Sequence, residues 1–341
     1  MPELYVIFFT LIATFIINYF LKKNNFLLDK KYSSHKSLVS SDEVPLSGGI
    51  IFLLSILIFY KPEFYQFKII LLVVFLIGIL SDINLISSPN KRIIIQLIVI
   101  CVFLYIRPTY IYSIRLEFFD YYLQNSYFGY FFTLLCLTIL INGSNFMDGL
   151  NIFVVGYFLI VTYTILHLSN DLSLDLNFYL VKVVLTALLV IFVFNFFGVL
   201  FLGDSGAYLV SFVLGYILIH FSNDNNEVVS PYFTACMLWY PAYENLFSII
   251  RKKFNKKSAT KADKTHLHQL LYILFRNKLP YSDKVINTLT GCILVFFNLL
   301  ILLIAVKFFN DSKNLILLLL VSIMSYNSAY YYLKKTLKTV S

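Results

Sequence analysis

Eleven apolar runs, each closed by a polar or charged segment, fill most of this 341-residue chain. They lie at about 4–21, 46–60, 68–81, 93–106, 128–141, 152–168, 178–197, 206–221, 231–250, 286–306 and 314–333. A helix of about 20 apolar residues crosses the hydrocarbon layer of a bilayer, and several of the runs approach that length with almost no charge. None shows the ten-residue alternation of a membrane barrel. The pattern predicts an all-α, polytopic transmembrane helical bundle of about 10–11 spans, a single integral membrane domain over 1–341. Nothing between the runs stands out as a second, soluble domain.

Composition agrees with that reading. Residues are 59% hydrophobic and only 13% charged, against about 25% charged in a soluble domain. Cys101, Cys136, Cys236 and Cys292 all sit in apolar runs without a C-x-x-C pair, so they read as core residues, not ligands. The first run is preceded by no Lys or Arg and followed by no small-residue cleavage site. It therefore reads as an uncleaved helix with the N-terminus outside.

The net charge of +9 comes with no recognisable nucleic-acid module, so membrane lipids, not nucleic acid, are the expected partners. Alternating eleven spans from an outer N-terminus puts 20 of the 27 Lys and Arg residues on the inner side, in the direction that orients membrane proteins. Ten of these lie in one basic cytoplasmic loop over 251–285. The same alternation places Asp82, Asp148, Asp204, His266 and His268 on the cytoplasmic face, where the candidate active site is expected.

Three motifs at run boundaries carry candidate chemistry. In GDSG (203–206), glycines flank Asp204 and leave the backbone bare for a close ligand. A hard cation such as Mg²⁺ takes one or two carboxylates and completes its shell with phosphate oxygens and water. In NGSNFMDG, Asn142, Asn145 and Asp148 recur every third residue, which on a continued helix lines them up along one side. In THLHQ, His266 and His268 sit beside Asp263 and Lys264. Their i, i+2 spacing does not suit a helical zinc site, and neutralising or hydrogen-bonding a phosphate fits better. Together these parts point to Mg²⁺-assisted phosphoryl transfer between a soluble nucleotide and a lipid.

At this point the chain resembles the polyprenyl-phosphate N-acetylhexosamine-1-phosphate transferases (glycosyltransferase family 4). These include O-antigen-initiating enzymes and the lipid I-forming translocase. The resemblance rests on VPLSGG (44–49), GILSDINLISSPNKRIIIQ (78–96), NGSNFMDGLN (142–151), FLGDSGAY (201–208), and YENLFSIIRKK with DKTHLHQL between 243 and 270. It implies transfer of a sugar-1-phosphate from a UDP-sugar donor to polyprenyl (undecaprenyl) phosphate acceptor, with release of UMP, at a bacterial inner membrane. By resemblance Asp204 is the metal ligand for Mg²⁺, Asp82 and Asp148 are catalytic, and Lys36, Asn142, Asn145, His266 and His268 bind substrate. A homodimer is an assembly this reading allows.

Three positions depart from the family pattern: Ser81 replaces the first of two adjacent aspartates, Gln269 a third His, and Asn151 a second Asp. The competing class is a transporter or flippase, which would place ionisable residues near mid-membrane, commonly within internal repeats. Here the middles of the runs are almost free of charge and no repeat is evident. The D-G-x-x-A-R motif of a CDP-alcohol phosphotransferase is absent.

Overall fold

The structure, a computed structural model, describes residues 2–29, 43–61, 64–254 and 265–340. Each apolar run is one helix: α1 (Pro2–Lys23), α2 (Gly48–Phe59), α3 (Tyr65–Asp82), α4 (Pro89–Ile106), α6 (Ser126–Met147), α7 (Phe153–Leu172), α8 (Phe178–Phe196), α9 (Gly203–Asp224), α10 (Pro231–Phe254), α12 (Asp283–Lys307) and α13 (Ser312–Val340). Two short helices, α5 (Glu117–Leu123) and α11 (Leu267–Lys278), occupy segments that the apolar pattern left as loops. Among the described residues nine helices are long and apolar enough to cross a membrane. Of the other two runs, α2 is apolar but has only 12 residues, and α10 has 24 with Pro241 and Glu244 inside. The chain is a polytopic all-α membrane protein.

One shift from the predicted boundaries bears on the site: α6 continues through Asn142, Ser144 and Asn145 to Met147. Asn142 Nδ2 donates to the Thr138 carbonyl and Ser144 Oγ to that of Leu140. Polar side chains that bond one turn back satisfy themselves within the helix, so the polar stretch does not end it.

The helix α9 is the axis of the bundle, buried along nearly its whole length and packed against α2, α3 and α6. Its tightest contact is with α3. A Cβ on Gly78 would lie 2.1 Å from Ser205 Cα and 2.6 Å from Ser205 N. Only glycine lets the end of α3 reach the backbone of α9, the close approach that small residues permit between membrane helices. At the other end of the same pair, Phe67, Phe103, Phe212 and Tyr216 close the packing with ring contacts such as 4.6 Å between Phe67 and Tyr216.

Backbone pairing then fixes the segment before α9. Strands β1 (Leu28–Asp29) and β2 (Val44–Pro45) form an antiparallel pair with Asp29 opposite Val44. Phe201 N donates to the Pro45 carbonyl at 2.9 Å, and Gly48 N to that of Phe201 at 3.0 Å. Asparagines tie the neighbouring loops. Asn195 accepts from Ile152 N and donates to the Leu200 carbonyl, while Asn287 accepts from Asn151 N. Ile152 has a left-handed φ of 58°, which a β-branched residue adopts only when its surroundings impose it.

The α3–α9 contact makes a specific demand. Replacing Gly78 with Ala is expected to lower stability by about 1–3 kcal/mol, the usual cost of forcing atoms into a packed contact. Thermal unfolding of the purified protein in detergent reads this directly.

Candidate active site

The last residue of α3 builds the first turn of α9. A helix start leaves backbone N–H groups without internal partners. Here Asp82 Oδ1 accepts from Asp204 N at 2.8 Å and Oδ2 from Ser205 N at 3.1 Å. Asp82 is thus a capping carboxylate supplied by another helix, placed where the positive end of the α9 dipole favours a negative charge. Gly203 makes room for it. Its φ is +74°, and a Cβ there would lie 2.9 Å from Asp82 Oδ2.

With its backbone so held, Asp204 presents its side chain to three elements. Oδ1 accepts from Asn145 Nδ2 of α6 at 2.8 Å. Oδ2 accepts from Ser81 Oγ of α3 at 2.6 Å and from Arg92 Nη1 of α4 at 3.0 Å. Arg92 Nη1 also donates to Ser81 Oγ at 2.7 Å, closing a triangle of the three groups. One turn back on α6, Asn142 donates to Gln96 Oε1 of α4 at 2.9 Å. Asn142 and Asn145 therefore share a helix face as their spacing predicts, but Asp148 does not continue it. It is the residue that ends α6, with ψ 58°.

Asp148 instead lines a small, open pocket together with Asp29, Gly149, Leu150, Asn151, Asn195 and Phe201. The hairpin, the α6–α7 turn and the segment before α9 each contribute to its wall.

The two histidines are not on a solvated loop. His266 is the cap of α11 and only 6% exposed, and His268 is fully buried in its first turn. His266 Nδ1 lies 2.7 Å from Glu244 Oε1, whose other oxygen accepts from Tyr326 at 2.8 Å. The rings of His266 and Phe146 are 5.2 Å apart, and those of His266 and His268 are stacked at 5.6 Å. A Cβ on Gly149 would lie 3.1 Å from His268 Nε2. Both histidines therefore abut the stretch 145–149 that also carries Asn145 and Asp148. Neither ring nitrogen of His268 has a hydrogen-bond partner among the described residues. Burial pushes its imidazole down to about 3, helped by neighbouring His266 and opposed by Glu244.

The structure thus gathers Asp82, Asn142, Asn145, Asp148, Asp204, His266 and His268 at one end of the bundle. Lys36 lies outside the described residues, as does 255–264 of the basic loop. The sequence reading missed Ser81's hydroxyl role, Arg92, Gln96, Asn195, Glu244 and Tyr326. Glu244 had a usable signal, an acid inside an apolar run. Asp29 had none, since only the hairpin brings it to the pocket.

The Asp204 carboxylate, with the Ser81 hydroxyl beside it, suits a hard cation such as Mg²⁺, which relies on few protein ligands. Among the described residues no three His, Cys, Asp or Glu side chains gather as a metal-holding group by themselves. Asp204, with Asp82 behind it, is where such an ion would be held, and it would offset charge on a phosphate ligand.

Residues 65–222 match glycosyl transferase family 4. Two curated relatives are the undecaprenyl-phosphate alpha-N-acetylglucosaminyl 1-phosphate transferases of Salmonella typhi and Salmonella typhimurium. Each is 24% identical over 244 residues, covering 67% of this chain and 65% of the relative. The match therefore spans about 65% of the length of those relatives. The family-matched segment holds Asp82, Arg92, Asn142, Asn145, Asp148 and Asp204, and ends before Glu244 and His266.

The buried His268 has a consequence for acid stability. Its ordinary value is 6.5, so between about 6.5 and 3 the unfolded chain takes up a proton that the folded chain excludes. Its contribution to stability is complete above 6.5 and is lost progressively as pH falls. The unfolding temperature is expected to drop on going from about pH 7 to 5, and to drop less in His268→Asn. Equal slopes in the two proteins would place the acid sensitivity elsewhere.

Proposed function

We propose that this chain, whose residues 65–222 belong to glycosyl transferase family 4, transfers a sugar-1-phosphate from a UDP-sugar to polyprenyl phosphate. The donor sugar is of the N-acetylhexosamine type and the acceptor is undecaprenyl phosphate, as the names of the relatives indicate for those proteins. An acceptor phosphate oxygen forms a bond to the sugar-linked phosphorus, the bond from that phosphorus to the bridging oxygen breaks, and UMP leaves. The product is a polyprenyl-diphospho-sugar, the start of a lipid-linked envelope glycan.

One observation carries this reading: Asp204, Asp82, Asn145 and Arg92 converge at one end of a membrane bundle, inside the family-matched segment. Phosphoryl transfer asks a protein mainly to position groups and balance charge. A phosphate monoester has its second pKa near about 6, so the acceptor is already ionised and needs no strong base. Asp82 is consistent with that, because its oxygens hold the α9 amides. Bound Mg²⁺ would offset the charge of the diphosphate. Asp204 would hold that ion, Asn145 orients the Asp204 carboxylate, and Asp148, on the rim of the neighbouring pocket, would face the donor. The charge bias of the loops supports a cytoplasmic site in a bacterial inner membrane. Carboxylates at one end of the bundle fit an enzyme better than a transporter, whose ionisable residues lie near the midplane.

The test is turnover by the purified full-length protein in detergent, with undecaprenyl phosphate, a panel of UDP-N-acetylhexosamines and Mg²⁺. UMP and lipid-linked sugar are expected to appear together. Asp204→Asn is expected to cut the rate by about 100-fold or more, the effect of losing several kcal/mol of charge stabilisation. Folded protein that makes no lipid-linked product from any donor would overturn the proposal.

A further inference from the structure

We propose that Ser81 and Arg92 form a built-in counter-ion for Asp204 that competes with a divalent cation, so that metal binds this site only by displacing a guanidinium. The inference rests on the reading of Asp204 as the metal-holding carboxylate.

Among the described residues the carboxylates of Asp82 and Asp204 are both engaged. Asp82 turns both oxygens to the backbone amides of Asp204 and Ser205. Its negative charge thus faces the helix start. Asp204 has Asn145 Nδ2 on Oδ1 at 2.8 Å, and Ser81 Oγ with Arg92 Nη1 on Oδ2. The Arg92–Asp204 pair is 3.0 Å apart with side chains only 23% and 17% exposed. An ion pair shielded to this degree is felt more strongly than one on an open surface. The positive end of α9 adds to the disadvantage of a second cation at the same carboxylate.

Ser81 joins the two charged groups. Its hydroxyl donates to Asp204 and accepts from Arg92, two roles that one neutral side chain performs at once. An aspartate here, the residue of the family pattern, would repel Asp204 and draw Arg92 to itself. The site would then carry one more negative charge and Asp204 would be released toward a cation. The departure at position 81 and the guanidinium on Asp204 therefore belong together.

The measurement is Mn²⁺ binding to the full-length protein in detergent, followed by the loss of the free-ion EPR signal, with no substrate present. Arg92→Gln is expected to tighten Mn²⁺ about tenfold, a change of roughly 1.4 kcal/mol. Arg92→Lys, which keeps the charge, is expected to stay within about twofold of the parent, and Asp204→Asn to abolish the site. Ser81→Asp is expected to tighten binding in the same direction, and supplies the test if Arg92→Gln fails to fold. Unchanged or weaker Mn²⁺ binding in Arg92→Gln, binding that survives Asp204→Asn, or no binding in any variant would each overturn the proposal. Because no turnover is read, a chain that shows this competition yet transfers no sugar would count against the proposed function alone.

Discussion

The carboxylate of Asp82 on the first amides of α9 is the contact from which the rest of the site follows. Helix α9 starts at the polar edge of a tightly packed bundle, where backbone donors left without a partner cost about 1–3 kcal/mol each. The end of α3 supplies both acceptor atoms. It can do so because Gly78 lets α3 approach Ser205 and Gly203 leaves space for the carboxylate. Asp204 is the second residue of that helix, so its side-chain position is set by the same contact. Asn145, Ser81 and Arg92 then reach it from α6, α3 and α4.

Around this centre polar side chains also join the elements of the bundle. Asn195 connects the turn after α6 to the segment before α9, and Asn287 of α12 holds the same turn from outside. Glu244 of α10, fully buried, links His266 to Tyr326 of α13. Removing one partner of such a buried hydrogen bond is costly, because the other polar group stays behind unpaired. The histidines belong to this frame as much as to any ligand. His266 is fixed by Glu244, and His268 sits neutral against the backbone of Gly149.

The eleven helices were legible in the sequence because a bilayer demands long apolar runs and leaves little else to read. Charge bias added the expectation that the three aspartates and the His-X-His share one end, and the structure brings them there. What escaped were features made by contact between distant segments. Nothing local marks Asp29 as a neighbour of Asp148; the hydrogen bonds of Phe201 N and Gly48 N help bring the hairpin across. The polar residues 142–145 look like the end of a helix, yet Asn142 and Ser144 bond back to carbonyls one turn earlier and the helix continues. Arg92 looks like one more inner-loop cation, and its role depends on a serine eleven residues earlier. The resemblance makes Asp82 catalytic; nothing in the sequence signals that its carboxylate also holds the first amides of α9 beside Asp204.

Hydrogen exchange over the start of α9 tests that central claim most directly. Mass spectrometry of the peptide containing 203–206 would be compared between the parent protein and Asp82→Ala in the same detergent. The capping contact predicts markedly faster exchange at the amides of Asp204 and Ser205, in line with a lost cap worth about 0.5–2 kcal/mol, while the middle of α9 stays protected. Unchanged protection at those two amides would show that α9 starts without help from Asp82, and the account of how Asp204 is placed would fail.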